Sequence, residues 1–315
     1  MENNKNYNTL TEYYKNKYNK KVAKIALNAN FTCPNKDGKK GFGGCTYCSK
    51  LGSGDTAGDR NLSLKDQFYQ IKEIMDKKWK NLLYIPYLQS NSNTYGSLDK
   101  LKSVYNEILS IKDDRIVGMA IATRPDCFTD EIYNYLEELN KQIPLSIELG
   151  LQTSNEKTAK IINRLSTNEE FIDAVTNLRK RNIEVVAHII NGLPYETEQD
   201  MLNTIDFINQ LDIQGIKIHM LHVIKNTDLE KMYNEEKFSL LTRDEYINLV
   251  CDQLEILKNN IVVHRLTGDP MKEELVAPTW TIKKIDVLNG IDKELAKRDT
   301  YQGKYYNKEK ELPTR

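Results

Sequence analysis

Three of the five cysteines in this 315-residue chain, Cys33, Cys45 and Cys48, lie within sixteen positions of one another. Three thiolates can bind three irons of a [4Fe–4S] cluster and leave the fourth iron open to an exogenous ligand. Five glycines between residues 38 and 52 would let the backbone wrap such a cluster and direct N–H groups at its sulfides. The cysteine segment is therefore a candidate metal or redox site.

Two other uses of these thiols remain open. A structural zinc site needs four ligands, and the nearest histidine in sequence that could be the fourth is His188. A thioredoxin-like pair formed by Cys45 and Cys48 would leave Cys33 without a role. Cys127 and Cys251 stand alone, and the odd total argues against a disulfide framework. We favour the iron–sulfur interpretation over zinc, and zinc over the redox pair.

The strands and helices around the cysteines must position them. Six short apolar runs rich in Ile, Leu and Val are predicted strands: 23–29, 82–88, 116–122, 145–151, 184–190 and 215–221. Amphipathic helical patterns separate them, with predicted helix starts at Ser63, Thr129 and Ser154. This alternation predicts a parallel sheet covered by helices, either open and doubly wound or closed into a full or partial barrel. Both architectures place the active site at the carboxyl ends of the strands, where the cysteine segment follows the first run.

Composition and charge exclude some classes of protein. With 39% hydrophobic and 29% charged residues, the chain is not wholly disordered. No apolar run approaches the ~18–20 residues of a membrane span, and the start does not resemble a signal peptide, so we expect a cytoplasmic protein without a membrane partner. The 45 basic and 45 acidic side chains balance, but residues 1–24 carry +4 and residues 293–315 carry +3 against −7 between them. Basic ends suit a bound polyanion, and they equally suit solvated tails.

The pattern changes after the sixth strand–helix unit. It predicts a helix over 240–257, a short strand over 261–264 and a turn at Thr267-Gly268-Asp269-Pro270. A last helical pattern runs from Trp280 to Leu295, and Gly290 is predicted to interrupt it. The predicted division is a basic N-terminal extension over 1–22, a barrel over 23–235 and a C-terminal cap with a basic tail over 236–315.

Several blocks of sequence carry a resemblance to a known family: Cys33-Pro34-Asn35 with Gly43-Gly44-Cys45-Thr46-Tyr47-Cys48-Ser49, Gln89-Ser90-Asn91-Ser92-Asn93-Thr94-Tyr95, Thr123-Arg124-Pro125-Asp126, Glu148-Leu149-Gly150-Leu151-Gln152-Thr153, Asn163-Arg164, Gly192-Leu193-Pro194-Tyr195-Glu196, Lys217-Ile218-His219 with His222-Val223, and His264-Arg265-Leu266-Thr267-Gly268-Asp269-Pro270. These blocks resemble the radical S-adenosylmethionine superfamily, in the branch related to the Elongator catalytic subunit and more closely in the YhcC/YtqA group. The resemblance covers nearly the whole chain from about residue 20 to Gly303. The cysteines are spaced by eleven and two residues, where the common superfamily motif has three and two; the YhcC/YtqA group shares the long gap.

This resemblance implies a fold and cofactors. The fold is α/β, a partial (β/α)6 TIM-like barrel of the radical SAM type with a C-terminal α-rich extension, which agrees with the six strand–helix units. Cys33, Cys45 and Cys48 would bind a [4Fe–4S] cluster, and the methionyl amine and carboxylate of S-adenosylmethionine would chelate the open iron. An electron donor such as flavodoxin or ferredoxin would reduce the cluster, and cleavage of the sulfonium would release a 5′-deoxyadenosyl radical.

The resemblance also implies roles for residues that bind the cofactor. Gln89, Asn91 and Thr94, after the second strand, are expected at the methionyl amine. Arg164 is expected to meet the cofactor carboxylate, because a guanidinium fork fits that geometry. Gly192 is expected at the adenine, where a glycine permits close approach.

Other polar residues at the same strand ends complete the predicted site. Glu148 and Gln152 flank the end of the fourth strand, and an acid in so apolar a run needs a partner. Contact with the cofactor ribose or amine would supply one, and so would a buried ion pair. The candidate substrate residues are Arg124, His188, His219 and His222. No role is assigned to Cys127, Cys251, Arg265 or Asp269.

The leading functional hypothesis is a radical S-adenosylmethionine enzyme that remodels a tRNA wobble uridine, in the step from carboxymethylaminomethyl to aminomethyl. One alternative keeps the radical chemistry and takes a small metabolite or a porphyrin-like molecule as substrate. A second alternative is a non-catalytic, zinc-stabilised RNA-binding protein. Steep salt dependence of substrate binding would favour RNA, because phosphate contacts release counterions.

Overall fold

The computed structural model describes residues 5–49, 52 and 57–307. In chain order, the strands of this part are β1 (Val22–Leu27), β2 (Leu83–Leu88), β3 (Met119–Thr123), β4 (Leu145–Gln152), β5 (Glu184–Asn191), β6 (Gly215–Met220), β7 (Val223–Ile224), β8 (Val262–Arg265) and β9 (Leu275–Ala277). Seven of them form a curled parallel half-barrel in the order β1-β2-β3-β4-β5-β6-β8. The six predicted strands and the predicted radical SAM type of partial barrel are confirmed.

The helices cover this sheet. Within the described residues they are α1 (Leu10–Tyr18), α2 (Leu64–Lys78), α3 (Leu98–Leu109), α4 (Asp130–Gln142), α5 (Glu156–Ile161), α6 (Asn168–Lys180), α7 (Glu198–Asn209), α8 (Asp228–Asn234), α9 (Arg243–Ile256) and α10 (Lys284–Lys297), with a 3-10 turn at Thr279–Ile282. Two predicted starts are confirmed as N-caps, since Ser63 accepts from the Asp66 N–H and Thr129 from the Ile132 N–H. Each cap satisfies an N–H that has no partner inside its helix.

The curl of the sheet brings distant strands together. Alternate residues of β2 point to opposite faces, so Tyr84 joins the outer core under the helices while Ile85 and Tyr87 face the inside of the half-barrel. The Tyr14 side chain of α1 packs on these inner residues. A half-barrel of this shape has a concave interior on which side chains from non-adjacent strands can meet.

The C-terminal region contributes one strand to the sheet, because β8 pairs in parallel with β6. β7 and β9 form a separate antiparallel pair that the sequence did not predict. The predicted interruption at Gly290 is wrong: α10 runs through it. A Cβ at Gly290 would lie 2.4 Å from the Ile247 Cδ1 atom of α9, so the glycine serves close packing of the two helices. The predicted division at 22/23 and 235/236 stays a prediction.

The two ends of the described chain lie together at the amino ends of the strands. The Tyr13 hydroxyl donates to Glu184, the first residue of β5, and the Val263 N–H of β8 donates to the Asn8 carbonyl. From the other end of the chain, the Gln302 N–H donates to the Asn6 carbonyl. The N-terminal extension is therefore partly a packed helix, α1; residues 1–4 and 308–315 of the predicted basic ends lie outside the described residues.

No helix in the described ranges is long and apolar enough to cross a membrane.

Candidate active site

A cavity of about 360 Å³ lies at the carboxyl ends of the strands, where the parallel architecture predicts an active site. Its lining comes from the last residues of the strands and from the loops that follow them. Cys33, Cys45 and Cys48 all line it, and all three are free thiols. The volume falls in the range of about 300–1,000 Å³ that is usual for small-molecule and cofactor sites.

The thiols share the cavity in a way that fits a cluster. Among the described residues, no three Cys, His, Asp or Glu groups converge as one metal ion would require. Three thiols that line one cavity suit the three irons that cysteines bind in a [4Fe–4S] cluster, one sulfur to each iron. A hydrogen bond from Cys48, together with the charge of Arg124, lowers the pKa of Cys45 to about 6. The Asn35 amide also donates to the Cys45 sulfur at 3.6 Å, so the surroundings favour a thiolate at this position.

The cysteine loop is tied to the end of α5 by three hydrogen bonds. The Asn163 side chain donates to the Gly44 carbonyl at 2.8 Å, and the Asn35 side chain donates to the Asn163 carbonyl at 2.5 Å. The Thr46 N–H donates to the Ile162 carbonyl at 3.0 Å. The Asn163-Arg164 block found in the sequence thus fixes the loop that carries the thiols.

A charged contact ties the same loop to the end of β3. Arg124 forms a two-point hydrogen bond with the buried Asp126 carboxylate at 2.9 and 2.8 Å, and Lys40 of the cysteine loop lies 2.9 Å from the same carboxylate. Lys40 also lies 2.7 Å from Glu170. Arg124, a predicted substrate residue, lines the cavity, but these contacts give it a role in holding the loop.

Four of the residues predicted to bind the cofactor line the cavity with the cysteines: Gln89, Asn91, Glu148 and Gln152. Asn91 is held by a hydrogen bond from its amide to the Phe31 carbonyl at 3.0 Å. Asn91 and Gln152 both have left-handed backbones, with φ of 58° and 62°. Amide groups at these positions offer donors and acceptors to a polar cofactor.

Two other residues that were predicted to bind the cofactor, Thr94 and Gly192, do not line the cavity. Thr94 is fully buried and shares a hydrogen bond of 2.7 Å with the Thr123 hydroxyl at the end of β3. Gly192 has φ of 84°, and its N–H points at the Met201 sulfur at 3.1 Å. Neither is among the residues that line the cavity, so any effect on a cofactor would pass through neighbouring residues.

Arg164 is buried, and its N–H donors are directed at the chain itself. It donates to the carbonyls of Leu151 and Thr153 at 2.7 and 2.6 Å and to the Ser166 carbonyl at 2.8 Å. Its other terminal nitrogen lies 3.5 Å from Glu156. The structure therefore places Arg164 as a cap on the end of β4, and the predicted contact with a cofactor carboxylate would require these bonds to be exchanged.

Glu148 is held in a buried ion-pair network, which is the second of the two partners considered for it from the sequence. Its carboxylate lies 2.5 Å from Lys24 of β1, 2.5 Å from Lys217 of β6 and 2.8 Å from the His188 Nε2 atom of β5. Burial acts to raise the pKa of Glu148, but the charges of Lys217 and Lys24 outweigh it and hold that pKa well below its usual range. The acid is therefore ionised and its interactions are supplied within the chain.

The three predicted substrate histidines line the cavity together, with the His188 and His219 rings stacked at 5.8 Å. Burial, with the charge of Lys217, lowers the pKa of His188 to about 4. Burial also lowers the pKa of His222 to about 4 and that of His219 well below its usual range. All three are neutral at pH 7, so His188 donates its Nε2–H to the Glu148 carboxylate.

Sequence reasoning missed Lys24, Lys217 and Tyr87 as site residues. Lys217 lies 3.4 Å from the Tyr87 hydroxyl, and both line the cavity. The available signal was a charged residue inside an apolar strand: Lys24, Glu148 and Lys217 each occupy such a position, and buried charges must pair. Their contact could not be seen without the curl that joins β1, β4 and β6.

The family models identify the chain. Residues 38–208 match the model described as the radical SAM superfamily, and residues 213–297 match the radical SAM C-terminal domain. The chain therefore belongs to the radical SAM superfamily and is a radical SAM enzyme, whose cofactors are a [4Fe–4S] cluster and S-adenosylmethionine. Three thiols, amide side chains and a cavity of suitable size fit these groups.

Individual relatives narrow the family. The protein YtqA of Bacillus subtilis is 45% identical over 304 residues, covering 96% of this chain and 94% of its own, and YhcC of Escherichia coli is 29% identical over 280 residues, covering 89% of each. The predicted resemblance to this group is confirmed. A tRNA-2-methylthio-N(6)-dimethylallyladenosine synthase of Fusobacterium nucleatum is 26% identical over 259 residues, covering 78% of this chain and 58% of its own.

A solved structure shares the fold. The archaeal Elp3 of Methanocaldococcus infernus superimposes with a TM-score of 0.67 at 16% sequence identity, covering 90% of this chain. This chain spans 64% of the length of that structure.

Proposed function

We propose that this radical SAM enzyme acts on tRNA and converts the carboxymethylaminomethyl side chain of a wobble uridine to aminomethyl. The observation that carries a tRNA substrate is the relative named as a tRNA-modifying synthase, which matches across 78% of this chain. The choice of wobble uridine rests on the sequence blocks that resemble the Elongator branch.

Exposed aromatic side chains at the cavity end support a nucleic-acid substrate. Phe42, in the loop after β1, is 80% exposed, and Tyr195, in the loop after β5, is 58% exposed. Proteins that recognise single-stranded RNA stack unpaired bases on such rings. An anticodon loop presenting one splayed nucleotide would suit this arrangement.

The residues of the chain would divide the work as follows. Cys33, Cys45 and Cys48 would hold the cluster, and the amides of Asn91 and Gln152, which line the same cavity, would orient S-adenosylmethionine. A cluster held there would supply the electron for reductive cleavage of S-adenosylmethionine, the chemistry from which a 5′-deoxyadenosyl radical would arise. Glu148 in the inner wall is buried, and a wall closed to solvent on this side would limit the access of water to the reacting groups.

The proposal includes a one-electron donor such as flavodoxin or ferredoxin, because reduction of the cluster needs an external electron. Such donors and tRNA are both found in the cytoplasm, where we expect the enzyme to act.

The experiment is a nucleoside profile of tRNA from cells that lack the protein, complemented with wild type or variants. We expect carboxymethylaminomethyluridine to accumulate in the deletion strain and aminomethyluridine to return with wild type. A Cys33→Ala/Cys45→Ala/Cys48→Ala variant should fail to restore it, while Cys251→Ala, a buried cysteine of α9 outside the cavity, should succeed. An unchanged profile on deletion, or restoration by the triple variant, would contradict the proposal.

A further inference from the structure

One wall of the cavity holds more basic side chains than its buried acid can pair with. Lys24 and Lys217 share the single carboxylate of Glu148, and His188 adds no charge because it is neutral. Arg265, at the end of β8, lines the same cavity. We call Lys217, His219, His222 and Arg265 the cationic wall.

The other acids that line the cavity near this wall lie at its rim. Asp269 and Glu274 also line the cavity, and both are exposed. Asp269 is shared between Arg265 at 3.2 Å and Lys284 at 2.9 Å, so two cations again meet one carboxylate. Inside and at the rim together, four basic side chains contact two carboxylates.

The wall also presents buried nitrogen atoms that lack a partner. The Nε2 atoms of His219 and His222 are inaccessible to solvent and have no hydrogen bond within the described residues. Buried polar atoms in proteins nearly always have a hydrogen-bond partner. Two such atoms without a partner in the same cavity therefore point to a ligand. A neutral imidazole that carries its proton on Nε2 is a donor, and such a donor suits an anion.

The positions of these groups on the sheet keep them together. Lys217 and His219 are two residues apart on β6 and point to the same face. Lys217 also lies beside His188 in the register of β5 and β6. Burial lowers the pKa of Lys217 to about 7, and an anion bound at its Nζ atom would raise it again.

We propose that the cationic wall is the subsite for a carboxylate of the substrate, with Glu148 and Lys24 acting as positioning residues that hold Lys217 in place. The identity of that carboxylate rests on the proposed function: it is the end of the carboxymethylaminomethyl side chain. The product side chain lacks this group, so it loses the charge-assisted hydrogen bonds and is released.

The test compares binding of two tRNAs to the cluster-loaded enzyme. They carry the same uridine side chain, ending either in the carboxylate or in the isosteric carboxamide. We expect wild type to bind the carboxylate form at least about tenfold more tightly, because hydrogen bonds to a charged group are worth that much or more. Lys217→Gln and Arg265→Gln should each bring the ratio of the two Kd values toward one. Lys231→Gln, an exposed lysine of α8, should leave the ratio unchanged.

The outcomes separate this subsite from the proposed function. A wild-type ratio of one, or a ratio that both variants leave unchanged, would overturn the subsite. Weaker binding of S-adenosylmethionine in both variants with an unchanged ratio would assign the wall to the cofactor carboxylate and also overturn it. The ratio of the two Kd values is measured without turnover. A wild-type enzyme that binds the carboxylate form more tightly but does not convert the side chain would therefore refute the proposed function and still support the subsite. Near-ultraviolet circular dichroism of each variant confirms that it is folded.

Discussion

Replacement of Glu148 by glutamine should destabilise the protein more than any single surface change. The substitution keeps the shape of the side chain but leaves Lys24 and Lys217, both within 2.5 Å of the carboxylate, without a counter-charge. Breaking a buried ion pair from one side costs about 3–5 kcal/mol. For a chain of this length about 2 °C of melting temperature corresponds to each kcal/mol, so we expect a decrease of about 6–10 °C.

A second variant tests the cause of this loss. Lys217→Met removes one of the two ammonium groups and leaves Glu148 paired with Lys24, so it should cost less than Glu148→Gln. The double variant Glu148→Gln/Lys217→Met should melt above Glu148→Gln alone, because a single lysine that is 15% exposed remains. Melting is measured on matched anaerobic preparations of the cluster-loaded proteins.

The loss of stability caused by Glu148→Gln should also depend on pH. The folded-state pKa of Glu148 lies well below its usual value, so its contribution is present above the unfolded-state pKa and is lost as pH falls through that region and below. The difference in melting temperature between wild type and Glu148→Gln should therefore stay nearly constant from pH 7 to pH 5 and narrow as pH falls below about 4.5. A Glu148→Gln variant within 2 °C of wild type at pH 7, or a double variant that melts lower still, would show that Glu148 does not stabilise the fold by pairing with Lys24 and Lys217.

Two further changes test other parts of the structure. Gly290→Ala should destabilise the α9–α10 packing by about 1–3 kcal/mol, because the new methyl group would lie 2.4 Å from Ile247 Cδ1. Thermal melting measures this loss of stability. The double variant Gly290→Ala/Ile247→Val should recover part of it. Burial raises the pKa of Glu196 to about 7, so the folded state binds an extra proton between pH 4.5 and 7 and loses stability as pH rises through that range. The free energy of unfolding of Glu196→Gln should therefore rise relative to that of wild type as pH increases, by up to about 3 kcal/mol. A difference between the two proteins that stays constant from pH 5 to pH 8 would contradict this.

The strands and the thiols could be predicted because their signals are local. Near-continuous apolar runs predict parallel strands, and three cysteines in one loop predict a shared site wherever that loop folds. Gly290 illustrates the opposite case. A glycine in a helical pattern suggests a break, but here it permits close approach to Ile247, and that contact depends on how α9 and α10 pack.

The inner wall of the site could not be predicted because it depends on the curvature of the sheet. Lys24 on β1 and Glu148 on β4 are separated by β2 and β3, and strands spaced by about 4.8 Å would place them roughly 14 Å apart in a flat sheet. The curl brings their side chains to 2.5 Å across the concave face. The contacts of Arg164 differ from the predicted contact with a cofactor carboxylate for a similar reason. Its partners are backbone carbonyls at the end of β4, which have no signature in the sequence.

Modification of tRNA by radical chemistry is tested most directly with the purified, cluster-loaded enzyme and tRNA from cells that lack it. With a one-electron reductant and S-adenosylmethionine, we expect 5′-deoxyadenosine to form together with aminomethyluridine in that tRNA. Both should be absent with the Cys33→Ala/Cys45→Ala/Cys48→Ala variant. Formation of 5′-deoxyadenosine at the same rate with or without tRNA, and no change in the wobble uridine, would contradict this expectation.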